Sequence, residues 1–164
     1  MNMLNIRIVF VFVLSYFAYS KAACSNGWIN FQEKCYFFGK TKETWYGASA
    51  LCQSFGSKLA EPTTQEEVTF LGRETMQIGN NGDYYLGIHD IFVEGEWVYA
   101  FSRKNVTITI PWAPGGPDNY HEEDCALIGS APVWHGLWGD APCSSLQYYI
   151  CEYDLDFDPP MVIG

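Results

Sequence analysis

The stretch Pro111-Trp-Ala-Pro-Gly-Gly-Pro-Asp-Asn-Tyr-His-Glu-Glu-Asp-Cys125 combines turn-forming residues with a dense group of acids. Its prolines and paired glycines are incompatible with a helix or a central strand, so an ordered loop is predicted. Carboxylate and amide oxygens are the ligands that a hard cation such as Ca²⁺ prefers, and the loop offers them at Asp118, Asn119, Glu122, Glu123 and Asp124. The segment Trp138-Gly-Asp140, shortly before Cys143, adds one more carboxylate.

The composition indicates a folded and strongly acidic protein. Of the 164 residues, 48% are hydrophobic and 17% are aromatic, and the formal net charge is −10 at pH 7. This apolar content is ample for the core of one domain. A surface this negative repels phosphate backbones and anionic lipids, which argues against nucleic acid and membrane-surface partners.

The N-terminus has the pattern of a secretory signal. Arg7 precedes a short apolar run, and small residues follow between Ala18 and Ala23. The run is shorter than the ~20 residues that span a bilayer, so we expect no membrane insertion. Residues 1–20 are therefore predicted to be a signal peptide, cleaved after Ser20 or Ala22, and the mature protein is expected to be secreted and extracellular.

The cysteines predict a disulfide framework. An even number of cysteines in an oxidising compartment is typical of disulfide bonding, but six cysteines allow 15 pairings and spacing alone does not choose among them. None of the spacings suits a zinc clamp. The sequon at Asn105 predicts N-glycosylation of a surface loop. The cysteines are Cys24, Cys35, Cys52, Cys125, Cys143 and Cys151.

Two segments have helical signatures. The first begins after Thr44 and ends at Gly56, with apolar residues at the spacing i, i+3, i+4 and i+7 between them. The second is predicted over Gln65–Met76, because Thr64 and Glu67 form one of two overlapping capping boxes there.

Short apolar segments elsewhere are predicted to be strands. A hairpin is expected around Cys35, and the acidic tail, residues 154–164, is expected to be a flexible terminus. Because the helices precede most of the antiparallel strands, the fold class is α+β. The other predicted strands are Tyr84–Ile88, Trp97–Phe101, Val106–Ile110, Cys125–Ile128 and Tyr148–Cys151.

Taken together, these segments resemble a C-type lectin domain. The matches extend over residues 24–153 and form an ordered series, which is far more specific than any single motif. They include the helix Trp45–Cys52, Tyr85-Leu-Gly-Ile88, Glu94-Gly-Glu-Trp97, Trp112, Gly115–Asn119, Glu123-Asp-Cys125 and Trp138-Gly-Asp140. The resemblance implies one domain over 24–153, with two helices flanking small antiparallel sheets and an irregular loop region at about residues 90–138.

The resemblance also implies covalent and backbone details. It implies the disulfides Cys24–Cys35, Cys52–Cys151 and Cys125–Cys143. In family members with bound calcium, the bond that corresponds to Gly116–Pro117 is often cis.

Sugar-binding members of this family hold calcium through five side chains. Carried over by position, Asp118, Glu123 and Asp140 are retained, whereas Gly116 and Gly139 replace the other two ligands. Ca²⁺ takes six to eight oxygens, so water or neighbouring oxygens would have to complete the site. Retained calcium and a solvated acidic face are both open interpretations at this point.

Two functions follow as hypotheses, and neither is enzymatic. The first is a secreted lectin of innate immunity that binds glycans or glycoproteins, with Asp118, Asn119, Tyr120, Glu123 and Asp140 at the ligand site. The second is a calcium-independent protein-binding module on the same fold. The histidines show no catalytic spacing, so catalysis is not expected.

Overall fold

The computed structural model describes residues 23–78, 82–118, 122–130 and 135–155. The predicted signal peptide and the part of the predicted tail beyond Leu155 lie outside these ranges. The predicted start of the tail at residue 154 is too early, because Asp154 pairs with Lys34 in the sheet and the Leu155 amide donates to the Glu33 carbonyl. The helices are α1 (Trp45–Ser54) and α2 (Gln65–Ile78). The strands are β1 (Ile29–Phe31), β2 (Lys34–Phe38), β3 (Lys58–Leu59), β4 (Asp83–His89), β5 (Val98–Tyr99), β6 (Cys125–Gly129), β7 (Trp138–Ala141) and β8 (Tyr148–Asp154).

Local capping sets both ends of α1 and the start of α2, as predicted. The Thr44 side chain accepts a hydrogen bond from the Gly47 amide at 3.1 Å and so caps α1. Gly56, at φ 67°, ends this helix in a left-handed conformation. In α2 the capping box is closed, because the Glu67 amide donates to Thr64 Oγ1 while the Glu67 carboxylate accepts from the Thr64 amide.

The sheet is organised around β8, the last strand in sequence. β8 pairs antiparallel with β2 and β3 and parallel with β4. β4 pairs antiparallel with β5 and β6, and β6 pairs antiparallel with β7. With two helices and a mixed, mainly antiparallel sheet, the structure confirms the α+β class.

Two of the strand predictions are wrong in extent or kind. Val106–Ile110 forms no ladder: only Asn105, which precedes it, makes an isolated bridge, to Val98. Its alternation instead reflects half-buried side chains that pack on the core, since periodicity reports burial whether or not a partner strand is present. The strand predicted over Trp97–Phe101 is shorter in the structure, where it forms β5. Trp138, which we expected in a loop, is the first residue of β7.

The core is rich in aromatic residues and is cross-linked. All three implied disulfides are formed: Cys24–Cys35, Cys52–Cys151 and Cys125–Cys143. The backbone at Gly87 packs so closely against Leu59 that only a glycine fits there. A Cβ at this position would lie 2.8 Å from the Leu59 carbonyl oxygen. Trp138 is fully buried, so the strand that carries Asp140 is anchored in the core.

Candidate functional site

Three carboxylates that are distant in sequence meet at one place on the surface. Asp118 lies in the loop, Glu123 lies two residues before β6, and Asp140 lies in β7. One carboxylate oxygen from each residue lies within 4.8 Å of the other two. We call Asp118, Glu123 and Asp140 the acid cluster; the first is exposed and the others are half-buried.

The strand pair β6–β7 brings two members of the acid cluster together. Its antiparallel register places Ala126 opposite Asp140 and Cys125 opposite Ala141. Glu123 precedes the first residue of β6, Cys125, by two positions, so it lies beside the end of β7 that carries Asp140. The disulfide Cys125–Cys143 ties the same ends of the two strands covalently.

Backbone hydrogen bonds place the loop and Asp118 against β7. The Trp138 amide donates to the Pro111 carbonyl at 2.9 Å, and the Ala113 amide donates to the Trp138 carbonyl at 2.7 Å. The Asp118 amide donates to Asp140 Oδ2 at 3.0 Å. The main chain of Asp118 is therefore held against β7 and against the Asp140 carboxylate.

Gly116 is one of the two glycines that replace family calcium ligands, and the structure leaves room for a side chain at this position. The Gly116–Pro117 peptide bond is cis. A Cβ built at Gly116 would lie 3.6 Å from Asp140 Oδ1 and 3.6 Å from the Ala113 carbonyl oxygen, which is ordinary van der Waals contact. A longer side chain at this position would therefore start beside the acid cluster.

The other predicted site residues have different positions. In the described part of the chain, the group of mutually close carboxylates contains neither Glu122 nor Asp124. Glu122 is exposed and adopts φ 58°, and the Asp124 carbonyl accepts from the Asp90 amide at 3.1 Å. Asn119 and Tyr120 lie outside the described residues.

Asp90 is a buried acid near this region that the sequence reasoning did not single out. Only 3% of Asp90 is exposed. Its Oδ2 accepts from the Gly95 amide at 2.9 Å, while its Oδ1 has no hydrogen-bond partner in the described ranges. Burial raises the pKa of Asp90 to about 6, and the negative charges of Glu94 and Asp124 contribute. The sequence does contain one signal for such a buried acid, because Asp90 directly follows a strand of mainly apolar residues.

Two histidines that we considered for catalysis can be placed. His89 is 6% exposed, and its ring packs against Trp45 and Phe92. Burial lowers the pKa of His89, which favours the neutral ring. His135 lies in the turn before β7, on the surface.

The acid cluster has the chemistry and the spacing of a calcium site. Oxygens bound to one Ca²⁺ ion at 2.3–2.6 Å lie no more than about 5 Å apart. The oxygens of the acid cluster meet this limit. Three carboxylates supply fewer ligands than calcium prefers, so waters or further oxygens would fill the remaining positions.

Comparison with known sequences finds C-type lectin domains that match most of the chain. The model of the Lectin C-type domain matches residues 41–153. The human protein "C-type lectin domain family 17, member A" is 33% identical over 132 residues, which cover 80% of this chain and 32% of that protein. The mouse low affinity immunoglobulin epsilon Fc receptor is 35% identical over 131 residues, which cover 79% of this chain and 37% of the receptor. The chain thus spans about a third of the length of these relatives.

Solved structures show the same fold. The mouse scavenger receptor C-type lectin carbohydrate-recognition domain is 28% identical, with a TM-score of 0.72, over 80% of this chain and 98% of that domain. The cow CD23 carbohydrate-recognition domain, solved in the presence of a GlcNAc2Man3 oligosaccharide, is 28% identical with a TM-score of 0.69, over 81% and 97% of the two chains. A calcium-independent type II antifreeze protein has a TM-score of 0.66 at 24% identity, over 80% and 95%, and shares the fold alone.

Proposed function

Because the chain belongs to the C-type lectin domain family, we propose that it is a secreted carbohydrate-binding protein whose acid cluster holds calcium. In this proposal the lectin domain begins at residue 24, after a signal peptide over 1–20, and ends with β8, which an acidic tail follows. Its partners are glycans or glycoproteins outside the cell, in a role suited to innate immunity.

The observation that carries the proposal is the convergence of Asp118, Glu123 and Asp140. These residues would hold the ion, and bound calcium would accept oxygen lone pairs from sugar hydroxyls. The carboxylates would both neutralise the ion and accept hydrogen bonds from the same hydroxyls. Asn119 and Tyr120 follow Asp118 in sequence and are proposed to contact the sugar as well.

Calorimetry with Ca²⁺, together with retention on galactose or mannose beads, tests this proposal. We expect heat on calcium addition and retention that EDTA abolishes. Asp118→Ala should lower calcium affinity at least about tenfold, because it removes one of three charged ligands.

The matched control is Glu66→Ala, which removes an exposed carboxylate from the first turn of α2, outside the acid cluster. It should bind calcium as the wild type does. Equal losses in the two variants would mean that net charge, and not the acid cluster, governs binding.

A second function is favoured by the glycines at two ligand positions. With Gly116 and Gly139 the chain lacks side chains that would bind both calcium and sugar. The same surface would then dock another protein without an ion, and the fold shared with a calcium-independent protein is compatible with this. Absence of heat with calcium, together with absence of EDTA-sensitive retention on the galactose or mannose beads, would favour this alternative.

A further inference from the structure

A cleft beside the loop is lined mainly by apolar side chains that are only half-buried. Its volume is about 490 Å³, within the roughly 300–1,000 Å³ of typical ligand sites. Trp97 and Trp112 contact each other in its wall, with ring centroids 4.8 Å apart. The other lining residues are Val106, Ile108, Ile110, Gly95, Glu96 and Asn105.

Asn105, the asparagine of the glycosylation sequon, is part of this lining. Its segment is held next to Trp97, since the Val106 amide donates to the Trp97 carbonyl at 3.0 Å and Asn105 bridges to Val98. The Asn105 residue is exposed, and its side-chain amide makes no hydrogen bond within the described ranges. The exposed Asn105 therefore lies at the rim of this cleft.

We propose that the first N-acetylglucosamine of an Asn105 glycan packs into this cleft and covers the Trp97–Trp112 wall. The juxtaposition of sequon and cleft identifies the occupant, because a covalently attached sugar is always at high effective concentration beside its attachment point. This proposal rests on the proposed secretion. It does not rest on calcium or on sugar binding by the acid cluster.

The chemistry of the cleft suits this sugar. A pyranose ring presents C–H groups on one face, and its acetamido group ends in a methyl, so both can cover aromatic and aliphatic surface. The hydroxyls would stay at the rim, where Glu96 supplies an acceptor and solvent remains accessible. By covering the half-buried apolar side chains of the cleft, the sugar would remove their exposed apolar surface from water.

The test uses the full chain secreted from cells that attach high-mannose glycans. Endoglycosidase H then leaves one N-acetylglucosamine on Asn105, while Thr107→Ala prevents glycosylation without changing Asn105. We expect the one-sugar form to melt at the temperature of the fully glycosylated form and about 2–4 °C above Thr107→Ala. Thr107→Ser, which preserves the sequon, should match the wild type.

A direct contact measurement completes the test. In the one-sugar form, with isotope-labelled sugar, nuclear Overhauser effects should connect the N-acetyl methyl to indole protons of Trp97 or Trp112. Absence of these contacts, with the sugar on Asn105 verified by mass spectrometry, would overturn the proposal, as would secreted protein with Asn105 unmodified. Calcium and bead assays on the same samples report the lectin proposal independently.

Discussion

Two groups of acids in this protein are built in opposite ways. In the buried charge network of Lys34, Lys58, Glu61, Glu67 and Glu152, each lysine lies between two carboxylates. Lys34 Nζ is 2.6 Å from Glu67 and 3.4 Å from Glu152, and Lys58 Nζ is 3.0 Å from Glu61 and 3.4 Å from Glu152. The acid cluster instead brings three carboxylates together at the surface.

The difference lies in burial and in the charges nearby: lysines neutralise the carboxylates of the buried charge network, whereas the carboxylates of the acid cluster lie at or near the surface. The carboxylates of the buried charge network are at most 4% exposed, so unpaired charge there would be very costly. Glu67 also accepts from the Tyr36 hydroxyl and the Thr63 amide, which completes its hydrogen bonding. In the acid cluster, water screens the charges, and a cation from solution can supply further stabilisation.

The largest effect is expected from breaking the buried charge network. Glu67→Ala leaves Lys34 without its 2.6 Å partner and removes the side-chain half of the α2 capping box. We expect the free energy of unfolding to fall by about 3–5 kcal/mol, measured by urea denaturation. The exposed neighbour Glu66→Ala should change it by less than about 0.5 kcal/mol. A loss of similar size in both variants would contradict the contrast between buried and exposed acids.

A smaller effect, on binding alone, is expected from adding a ligand to the acid cluster. Gly116→Glu places a carboxylate on a position whose Cβ has room. It should raise calcium affinity about tenfold, or about 1.4 kcal/mol, in calorimetry. Gly116→Ala adds the Cβ without a ligand and should bind as the wild type does. Equal affinity in the two variants would show that position 116 does not face the ion.

The smallest effect is a pH dependence of stability. Burial raises the pKa of Glu152 to about 7, even though Lys34 and Lys58 oppose the shift. The folded state therefore holds this proton more tightly than the unfolded state, so the contribution to stability is present at low pH and decreases as pH rises from about 4.5 to about 7.

The measurement is urea unfolding of the wild type and Glu152→Gln at pH 5 and pH 6. The wild type should lose about 1 kcal/mol more than the variant between these two values. Glu67 acts in the opposite direction: Lys34 and backbone hydrogen bonds lower its pKa despite burial, so its contribution disappears below about pH 4.5. An identical pH profile for the two proteins would mean that Glu152 is already ionised at pH 5.

The helices were predictable because their signals are local. Thr44, the Thr64–Glu67 capping box and Gly56 act over three or four residues, and the structure confirms each of them. The prediction of a strand over Val106–Ile110 was wrong, because an alternating pattern does not reveal whether a partner strand lies alongside. β7 was missed because its four residues include Gly139 and Asp140, which have low strand propensity, and only pairing with β6 makes them a strand.

The sequence by itself determined the fold class, the helix ends and the identity of the three acids, because these depend on local signals and on residues matching a family. Only the tertiary structure decided that Asp118, Glu123 and Asp140 meet, that Lys34 and Lys58 neutralise buried acids, and that Asn105 borders an apolar cleft. Each of these depends on strand register and loop contacts between residues far apart in sequence. Such long-range contacts follow from packing the whole core, which no single segment specifies.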